Sequence, residues 1–145
     1  MESLKIPIAS DHAGFKLKAF LINKLNESKL TIVDYGTNSE DSCDYPDFIH
    51  PLANDISNNK YNLGIIICGS ANGVSMTANK HKNVRAALCW NESVTEMARM
   101  HNNANIIALP ARYLEEEYAL KLVKIFLNTP FEGGRHEKRV NKINI

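Results

Sequence analysis

The chain has 145 residues, the size of one ordinary domain and enough to bury a substantial hydrophobic core. Its 44% hydrophobic and 23% charged residues exclude a disordered chain, a collagen and a coiled-coil rod. The formal net charge of +1 argues against a nucleic-acid partner bound through bulk positive charge. No stretch approaches the ~18 apolar residues of a membrane span, so no membrane partner is expected.

The cysteine pattern and the first residues of the chain indicate the cellular compartment in which the protein is expected. The three cysteines, Cys43, Cys68 and Cys89, are an odd number, widely spaced and without a CxxC pair. This usage predicts free thiols in a reducing environment and argues against a zinc ribbon or other metal site. Residues 1–5 lack the basic and then apolar pattern of a signal peptide. We therefore expect a cytoplasmic protein.

Apolar runs and helical patterns alternate along the chain. Strands are predicted at residues 6–9, 31–35, 63–68, 84–89 and 106–109. Helices are predicted at residues 14–25, 45–57, 72–80, 93–100 and 115–127, with a short basic helix ending near residue 142. Pro7 is unfavourable inside the first strand, and Pro51 should strain or kink the second helix. Ser93 and Glu96 fit a capping box, which places the start of the fourth helix at Ser93.

This alternation predicts the fold class. Strands that alternate with helices form βαβ units with right-handed crossovers and a parallel sheet. We predict a single α/β domain over residues 1–145, a three-layer αβα sandwich around a five-stranded parallel sheet, as in Rossmann-like and flavodoxin-like folds. Ligands of such sheets bind beyond the carboxyl ends of the strands, so chemistry is expected at that edge.

Two segments follow the predicted first and third strands. Asp11 and His12 could bind a sugar or move a proton, but this segment alone favours a capping aspartate and a surface histidine. The small-residue loop 69–73 leaves backbone N–H groups free to face an anion. It lacks the fingerprints of nucleotide-binding loops. Cys68, at the entrance of this loop, is a candidate base or nucleophile, although a lone cysteine that ends a strand is more commonly a buried structural residue. Cys43 and Cys89 are interpreted as ordinary structural cysteines.

The second half of the chain holds further candidates. His101 and Asn102 lie between a helix and a strand, where they suit either a helix end or an acid/base site. Arg112 follows the fifth strand. Arg135 and Arg139 are four residues apart, on one face of a helix, where they could hold a phosphate or simply be solvated.

Six short segments, in this order and spacing, carry a resemblance to a known family over essentially the whole chain. They are SDHAG at 10–14, DYPD at 44–47, CGSANG at 68–73, ANK at 78–80, MHN at 100–102 and FEGGRH at 131–136. The chain resembles the ribose-5-phosphate isomerase B family, within a wider group that includes galactose-6-phosphate isomerase subunits. The resemblance implies a cofactor-free and metal-free interconversion of ribose 5-phosphate and ribulose 5-phosphate, a step of the pentose phosphate pathway.

The same resemblance implies roles for individual residues. Cys68 is similar to the base that moves a proton between C2 and C1, and His101 to the residue that assists ring opening. Sugar contacts are implied for Asp11, His12 and Asn102, enediolate stabilisation for Gly69, Ser70, Ala71, Asn72 and Gly73, and phosphate contacts for Arg112, Arg135 and Arg139.

The chain departs from the family pattern at two positions. Ala71 replaces a common glycine, which is unfavourable if that position needs a positive φ. Asn103 stands where an acidic residue is common. We expect these departures to affect fine specificity more than the class of reaction.

Topology predicts how the site is assembled. Cys68 ends a strand and therefore lies at the carboxyl edge, whereas His101 precedes a strand and lies at the opposite edge. A strand of ~5 residues spans roughly 16 Å, which is too far for one side chain to cover. We therefore predict a homodimer with two shared sites, each taking Cys68 from one subunit and His101 from the other.

Three other functions remain open at this point. A six-carbon sugar-phosphate isomerase would fit the same motifs. A phosphosugar-binding regulator without catalysis is disfavoured because it would need neither Cys68 nor His101. A flavodoxin-like nucleotide or flavin binder is disfavoured by the missing phosphate-loop fingerprints.

Overall fold

Five strands form one parallel sheet in the computed structural model, which describes residues 4–145. The strands are β1 (Leu4–Ser10), β2 (Leu30–Asp34), β3 (Gly64–Cys68), β4 (Ala86–Leu88) and β5 (Ile106–Pro110). Their order is β2-β1-β3-β5-β4, and every neighbouring pair is parallel. The predicted α/β class and five-stranded parallel sheet are confirmed. Of the residues examined for a signal sequence, 1–3 lie outside the described part of the chain.

Six α-helices connect or follow these strands in the described residues. They are α1 (Phe15–Leu25), α2 (Tyr45–Ser57), α3 (Asn72–Ala78), α4 (Glu92–Met100), α5 (Glu116–Asn128) and α6 (Arg135–Asn141). Short 3-10 turns, His12–Gly14 and Ala111–Tyr113, follow β1 and β5. Within residues 4–145, none of the helices combines the length and the apolar character needed to cross a bilayer.

The helices cover both faces of the sheet and so complete the three layers. On one face, α1 and α5 pack through an apolar stripe that includes Leu21 and Phe126. On the other face, α2 and α3 pack through residues such as Leu52 and Val74. All of β3 and β5 is buried, as expected for central strands covered on both sides.

Two prolines are accommodated without ending their elements. Pro7 lies opposite Val33 of β2, and the ladder between β1 and β3 begins only at Ile8, just after it. The missing N–H group therefore falls outside that ladder. Helix α2 continues through Pro51 to Ser57. The expected strain at Pro51 does not terminate the helix.

The predicted capping box at Ser93 is wrong. Helix α4 begins at Glu92, and its N-cap is Asn91, whose Oδ1 accepts a hydrogen bond from the Val94 N–H at 2.8 Å. Asparagine is as good an N-cap as serine, so two adjacent candidates compete for the same helix start. Ser93 instead lies inside the first turn and is exposed.

Candidate active site

A cavity of about 380 Å³ opens at the carboxyl edge of the sheet. The strands β1, β3 and β5 are neighbours and parallel, so the segments that follow them meet at this edge. The cavity combines two thiols, two carboxylates, an imidazole, a phenol and a guanidinium. Its lining residues are Asp11, His12, Ala13, Cys43, Asp44, Tyr45, Cys68, Gly69, Ser70, Gly73 and Arg112.

Cys68 is the last residue of β3 and is only 5% exposed. It packs against the apolar cluster under α2 and α3, and it also lines the cavity. A nearly buried thiol at the end of a strand is held in place by its backbone, and it still lines the cavity. This arrangement suits a group that must meet one bound molecule in one orientation.

The loop after β3 reverses direction at Ala71. Ala71 has a φ of +66°, so this position does adopt the left-handed conformation that glycine prefers. Its side chain is fully buried, and the residue occupies the N-cap position of α3 without a side-chain capping hydrogen bond. Gly69, Ser70 and Gly73 line the cavity, whereas Asn72 is exposed and lines a separate surface depression. Of the loop's five predicted contacts, three therefore face the cavity.

Asp11 and His12 leave β1 at the cavity wall. The Asp11 Oδ1 accepts a hydrogen bond from the Gly14 N–H at 3.1 Å, so the capping interpretation of this residue is correct. Asp11 also lines the cavity. The Nδ1 of His12 accepts a hydrogen bond from the Cys43 N–H at 3.2 Å. A neutral His12 therefore carries its proton on Nε2 and can donate from that atom.

Arg112 reaches the cavity from the turn after β5. Its backbone N–H donates to the Gly69 carbonyl oxygen at 3.0 Å, which ties the two turns together. Its guanidinium lies beside Gly69, and a Cβ at that glycine would come within 2.9 Å of the guanidinium carbon. Glycine at 69 therefore makes room for the arginine, whose planar fork is suited to a phosphate.

Besides Ala13, three cavity residues were missed by the site prediction. Cys43 was interpreted as a plain structural cysteine, but it is half-buried, lines the cavity and has its Sγ 3.8 Å from the His12 Nδ1. Asp44 and Tyr45 also line the cavity, and the Tyr45 ring approaches Gly73 closely. The signal available was the DYPD segment together with the rule that loops at the carboxyl edge carry chemistry.

Cys89 is a structural cysteine of the core, as the sequence predicts. It is fully buried in the core on the α1 and α5 side of the sheet. Burial raises the pKa of its thiol to about 11, although a hydrogen bond with Thr95 opposes the rise. A thiol of this kind is protonated near neutral pH and is a poor base.

His101 belongs to a different group of side chains. It follows the last residue of α4, stacks on His136 with ring centroids 4.1 Å apart, and is about one-third exposed. The Nε2 atoms of His101 and His136 lie 3.9 and 3.8 Å from the carboxylate oxygens of Glu132. Burial lowers the pKa of His136, and the neighbouring His101 and Arg135 lower it further.

This histidine pair is also where a metal could be held. One ligand atom each from His101, Glu132 and His136 lies within 4.8 Å of the other two. Imidazole and carboxylate are ordinary zinc ligands. Sequence spacing did not indicate this donor set, because α6 brings His136 against a helix end 35 residues earlier.

The remaining predicted residues lie with His101 and outside the cavity. Arg135 and Arg139 are exposed on α6, the helix whose His136 stacks on His101. Asn102 is exposed and lines a depression beside β4. The pairing of Gly64 with Ile106 and of Cys68 with Pro110 puts the start of β5, next to His101, at the end of the sheet away from Cys68. Within one chain, the predicted site is thus divided into two groups.

Comparison with known proteins agrees with this architecture. The sequence profile described as ribose/galactose isomerase matches residues 6–143. The chain belongs to the ribose/galactose isomerase family. A family member from Mycoplasma pneumoniae, described as a probable ribose-5-phosphate isomerase B, is 45% identical over 139 residues, which cover 95% of this chain and 91% of that protein.

Solved structures of family members extend the comparison. A ribose 5-phosphate isomerase from Thermotoga maritima superimposes with a TM-score of 0.95 at 46% identity, covering 97% of each chain. Ribose-5-phosphate isomerase B from Mycoplasma genitalium, solved with bound ribulose-5-phosphate, superimposes with a TM-score of 0.93 at 42% identity. The alignment covers 99% of this chain and 95% of that one. The family resemblance and the three-layer fold are both confirmed.

Proposed function

We propose that this protein is an aldose–ketose isomerase that interconverts ribose 5-phosphate and ribulose 5-phosphate, as a single domain over residues 1–145. The cavity at the carboxyl edge carries the proposal, because it puts the thiol of Cys68 beside the glycine loop and the guanidinium of Arg112. The family relative with bound ribulose-5-phosphate supports the same class of substrate.

The reaction needs one base and donors for a developing oxyanion. Cys68, as the thiolate, takes the proton from C2 of the open-chain aldose, and the electron pair forms an enediolate. The thiol returns that proton to C1, while the hydroxyl proton moves from O2 to O1. Backbone N–H groups of the loop 69–73 stabilise the enediolate, and removal of one such donor typically costs about 10²–10³ in rate. No metal or cofactor takes part.

The other residues bind the substrate. Arg112 binds the phosphate, together with Arg135 and Arg139. Asp11, His12 and Asn102 contact the sugar hydroxyls, with His12 donating from Nε2. His101 assists opening of the sugar ring.

We propose that these two groups meet across a homodimer interface. Cys68 and Arg112 lie at one end of the sheet, whereas His101 and the two arginines of α6 lie at the other and are wholly or partly exposed. Two copies related by a two-fold axis can bring each group against its complement and form two equal sites. A monomer has no complete site in this scheme.

We also propose that the protein acts in the cytoplasm, in the pentose phosphate pathway. The three thiols are free, which fits a reducing compartment.

The test is a substrate panel followed by NMR. The purified protein is incubated with ribose 5-phosphate, and separately with galactose 6-phosphate and allose 6-phosphate, and the formation of each ketose is followed. Ribulose 5-phosphate should form much faster than either six-carbon ketose, before and after treatment with a chelator. Turnover of a six-carbon substrate alone would make the protein a hexose-phosphate isomerase. Binding of all three without turnover would make it a sugar-phosphate binder.

A further inference from the structure

A second cavity, of about 350 Å³, opens beside the amino ends of the strands. It is lined by two arginines, Arg85 and Arg99, and by four asparagines. No aspartate or glutamate is among its lining residues in the part of the chain that the structure describes. The asparagines are Asn59, Asn62, Asn103 and Asn105, and the apolar remainder of the wall is Ile56, Tyr61 and Leu63.

Both guanidiniums are held by neutral oxygens. The Nε of Arg85 donates to the Asn103 carbonyl oxygen at 2.9 Å. Arg99 donates from Nη1 to the Asn103 Oδ1 at 3.0 Å and to the Ala104 carbonyl oxygen at 2.6 Å. Its Nε donates to the Thr129 carbonyl oxygen at 3.0 Å. Neither arginine forms an ion pair within residues 4–145.

Two positive charges therefore stand close together without a negative partner in the described chain. Burial lowers the pKa of both arginines, and the charge of Arg85 lowers that of Arg99 further. Both remain protonated at neutral pH, since an arginine titrates far above it. An anion placed between them would relieve their repulsion and replace the hydration that half-burial removes.

We propose that this cavity is a binding site for a phosphate-class oxyanion, held between Arg85 and Arg99. Asn103 connects the two arginines through its carbonyl and its Oδ1, and this leaves its Nδ2 as a further N–H donor at the cavity wall. The short hydrogen bonds to neutral oxygens use the Nε and Nη1 groups of Arg99 and the Nε of Arg85, so the remaining guanidinium N–H groups donate to the anion. Hydrogen bonds from a charged guanidinium to an oxyanion are strong, and uncharged amides add donors without repelling the ligand. None of these residues takes part in the proposed isomerase reaction.

The test observes the arginines directly. The protein is labelled with ¹⁵N-arginine, which gives Nε–Hε signals from its five arginines, and each signal is assigned by a single Arg→Lys variant. Inorganic phosphate is titrated against chloride at constant ionic strength. The Arg85 and Arg99 signals should shift together and saturate. A parallel titration with glycerol 3-phosphate distinguishes a site for free phosphate from one for a phosphate monoester, according to which binds more tightly.

The decisive variant is Asn103→Asp. A carboxylate at this position would pair directly with Arg99, whose Nη1 already donates to the Oδ1 of Asn103. It would also add a negative charge near Arg85, which donates to the backbone carbonyl oxygen of the same residue. Phosphate should then bind at Arg85 and Arg99 about tenfold more weakly or worse, since charge-assisted hydrogen bonds are lost. Asparagine and aspartate both tolerate the left-handed backbone of this residue, whose φ is +48°, so the fold should be retained. Asn38→Asp adds the same charge on an exposed loop and should leave phosphate binding unchanged.

Two results would overturn the proposal. In the first, phosphate shifts the signals of Arg112, Arg135 or Arg139 while those of Arg85 and Arg99 do not move. The other is a shift at Arg85 and Arg99 with the same apparent affinity in Asn103→Asp as in the wild type.

Discussion

At the scale of single residues, the chain uses its three thiols in three different surroundings. Cys89 is buried in the core, Cys43 is half-buried beside His12, and Cys68 is nearly buried but lines the cavity. Burial without access makes a thiol inert, whereas burial at the floor of a cavity limits water and leaves room for substrate. The three side chains are chemically identical, so the position of each one in the fold decides whether it can react with a bound molecule.

This contrast predicts the effect of Cys68→Ser. The hydroxyl is similar in size but is almost never deprotonated near neutral pH, so the base is lost and kcat for ribose 5-phosphate should fall by about 10²–10⁴-fold. The KM should change little, because phosphate contacts dominate binding. Steady-state kinetics with an NMR or coupled assay measures both quantities.

The matched control is Cys89→Ser, which should retain turnover. In the wild type, ribose 5-phosphate should also slow the alkylation of Cys68. Near-normal turnover of Cys68→Ser would mean that another group acts as the base.

A second residue-scale prediction concerns acid stability. The Nδ1 of His50 and the Nε2 of His81 are 2.7 Å apart, and the pKa of His81 is lowered by burial and then by His50. In the unfolded chain His81 titrates near its ordinary value of 6.5, above its value in the folded protein. Between the two values the unfolded state binds more protons, so the free energy of unfolding rises with pH. This contribution is present above about pH 6.5 and is lost as the pH falls towards the folded pKa.

His81→Gln should therefore reduce the loss of stability on acidification. Denaturant unfolding of the wild type and of the variant is compared at about pH 7.5 and about pH 5.5, which lie on either side of the ordinary histidine pKa. His136, whose pKa is lowered in the same direction, is present in both proteins, so its contribution cancels in the comparison. An equal loss of stability in the two proteins would show that the His50–His81 contact does not resist protonation.

At the scale of elements, the start of α4 shows how local signals compete. Asn91 and Ser93 are both good capping residues two positions apart, and the structure uses Asn91. Asn91→Ala should lower the free energy of unfolding by about 1 kcal/mol, because the Val94 N–H loses its side-chain acceptor. Ser93→Ala should change it by no more than about 0.5 kcal/mol, as for an exposed surface site. Urea denaturation measures both changes. A larger loss of stability in Ser93→Ala than in Asn91→Ala would mean that Ser93 is the N-cap after all.

The turn after β3 predicts a functional effect of one methyl group. A Cβ at Gly69 would meet the end of the Arg112 side chain and push the guanidinium away, while the backbone stays in place. Gly69→Ala should therefore raise the KM for ribose 5-phosphate by about tenfold to a hundredfold, which corresponds to the binding free energy of one charge-assisted hydrogen bond. Thermal stability should be nearly unchanged.

The control for this prediction is a double-mutant cycle. Arg112→Ala should raise the KM similarly, and the double variant should be little worse than either single one, because both changes remove the same contact. Fully additive effects would mean that Gly69 acts by a route that does not involve Arg112.

At the scale of the whole molecule, the parallel sheet separates the two groups of proposed site residues. Subunit complementation tests whether they meet in a dimer. Cys68→Ala and His101→Ala, each inactive alone, are mixed under conditions that exchange subunits. Random pairing makes about half of the dimers mixed, and each has one intact site, so about a quarter of wild-type activity should return. Mass spectrometry verifies the exchange. Exchange without recovered activity would place the whole site within one chain.

Much of the fold was predictable because its signals are local. The apolar run before Cys68 and the stripe with Leu17, Leu21 and Leu25 identify a buried strand and an amphipathic helix without any knowledge of their neighbours. The alternation of such segments then implies a parallel sheet, and a parallel sheet implies that Asp11, Cys68 and Arg112 end at one edge. These conclusions depend on periodicity and chain direction alone.

Other features depend on contacts between distant parts of the chain, and only the tertiary structure decided them. Cys43 meets His12 across 31 positions, and His136 stacks on His101 because α6 returns to the end of α4. The strand order β2-β1-β3-β5-β4 determines which loops share the cavity. The left-handed backbone at Ala71 is set by the turn between β3 and α3. No local pattern encodes these contacts, because their energy comes from packing whole elements together.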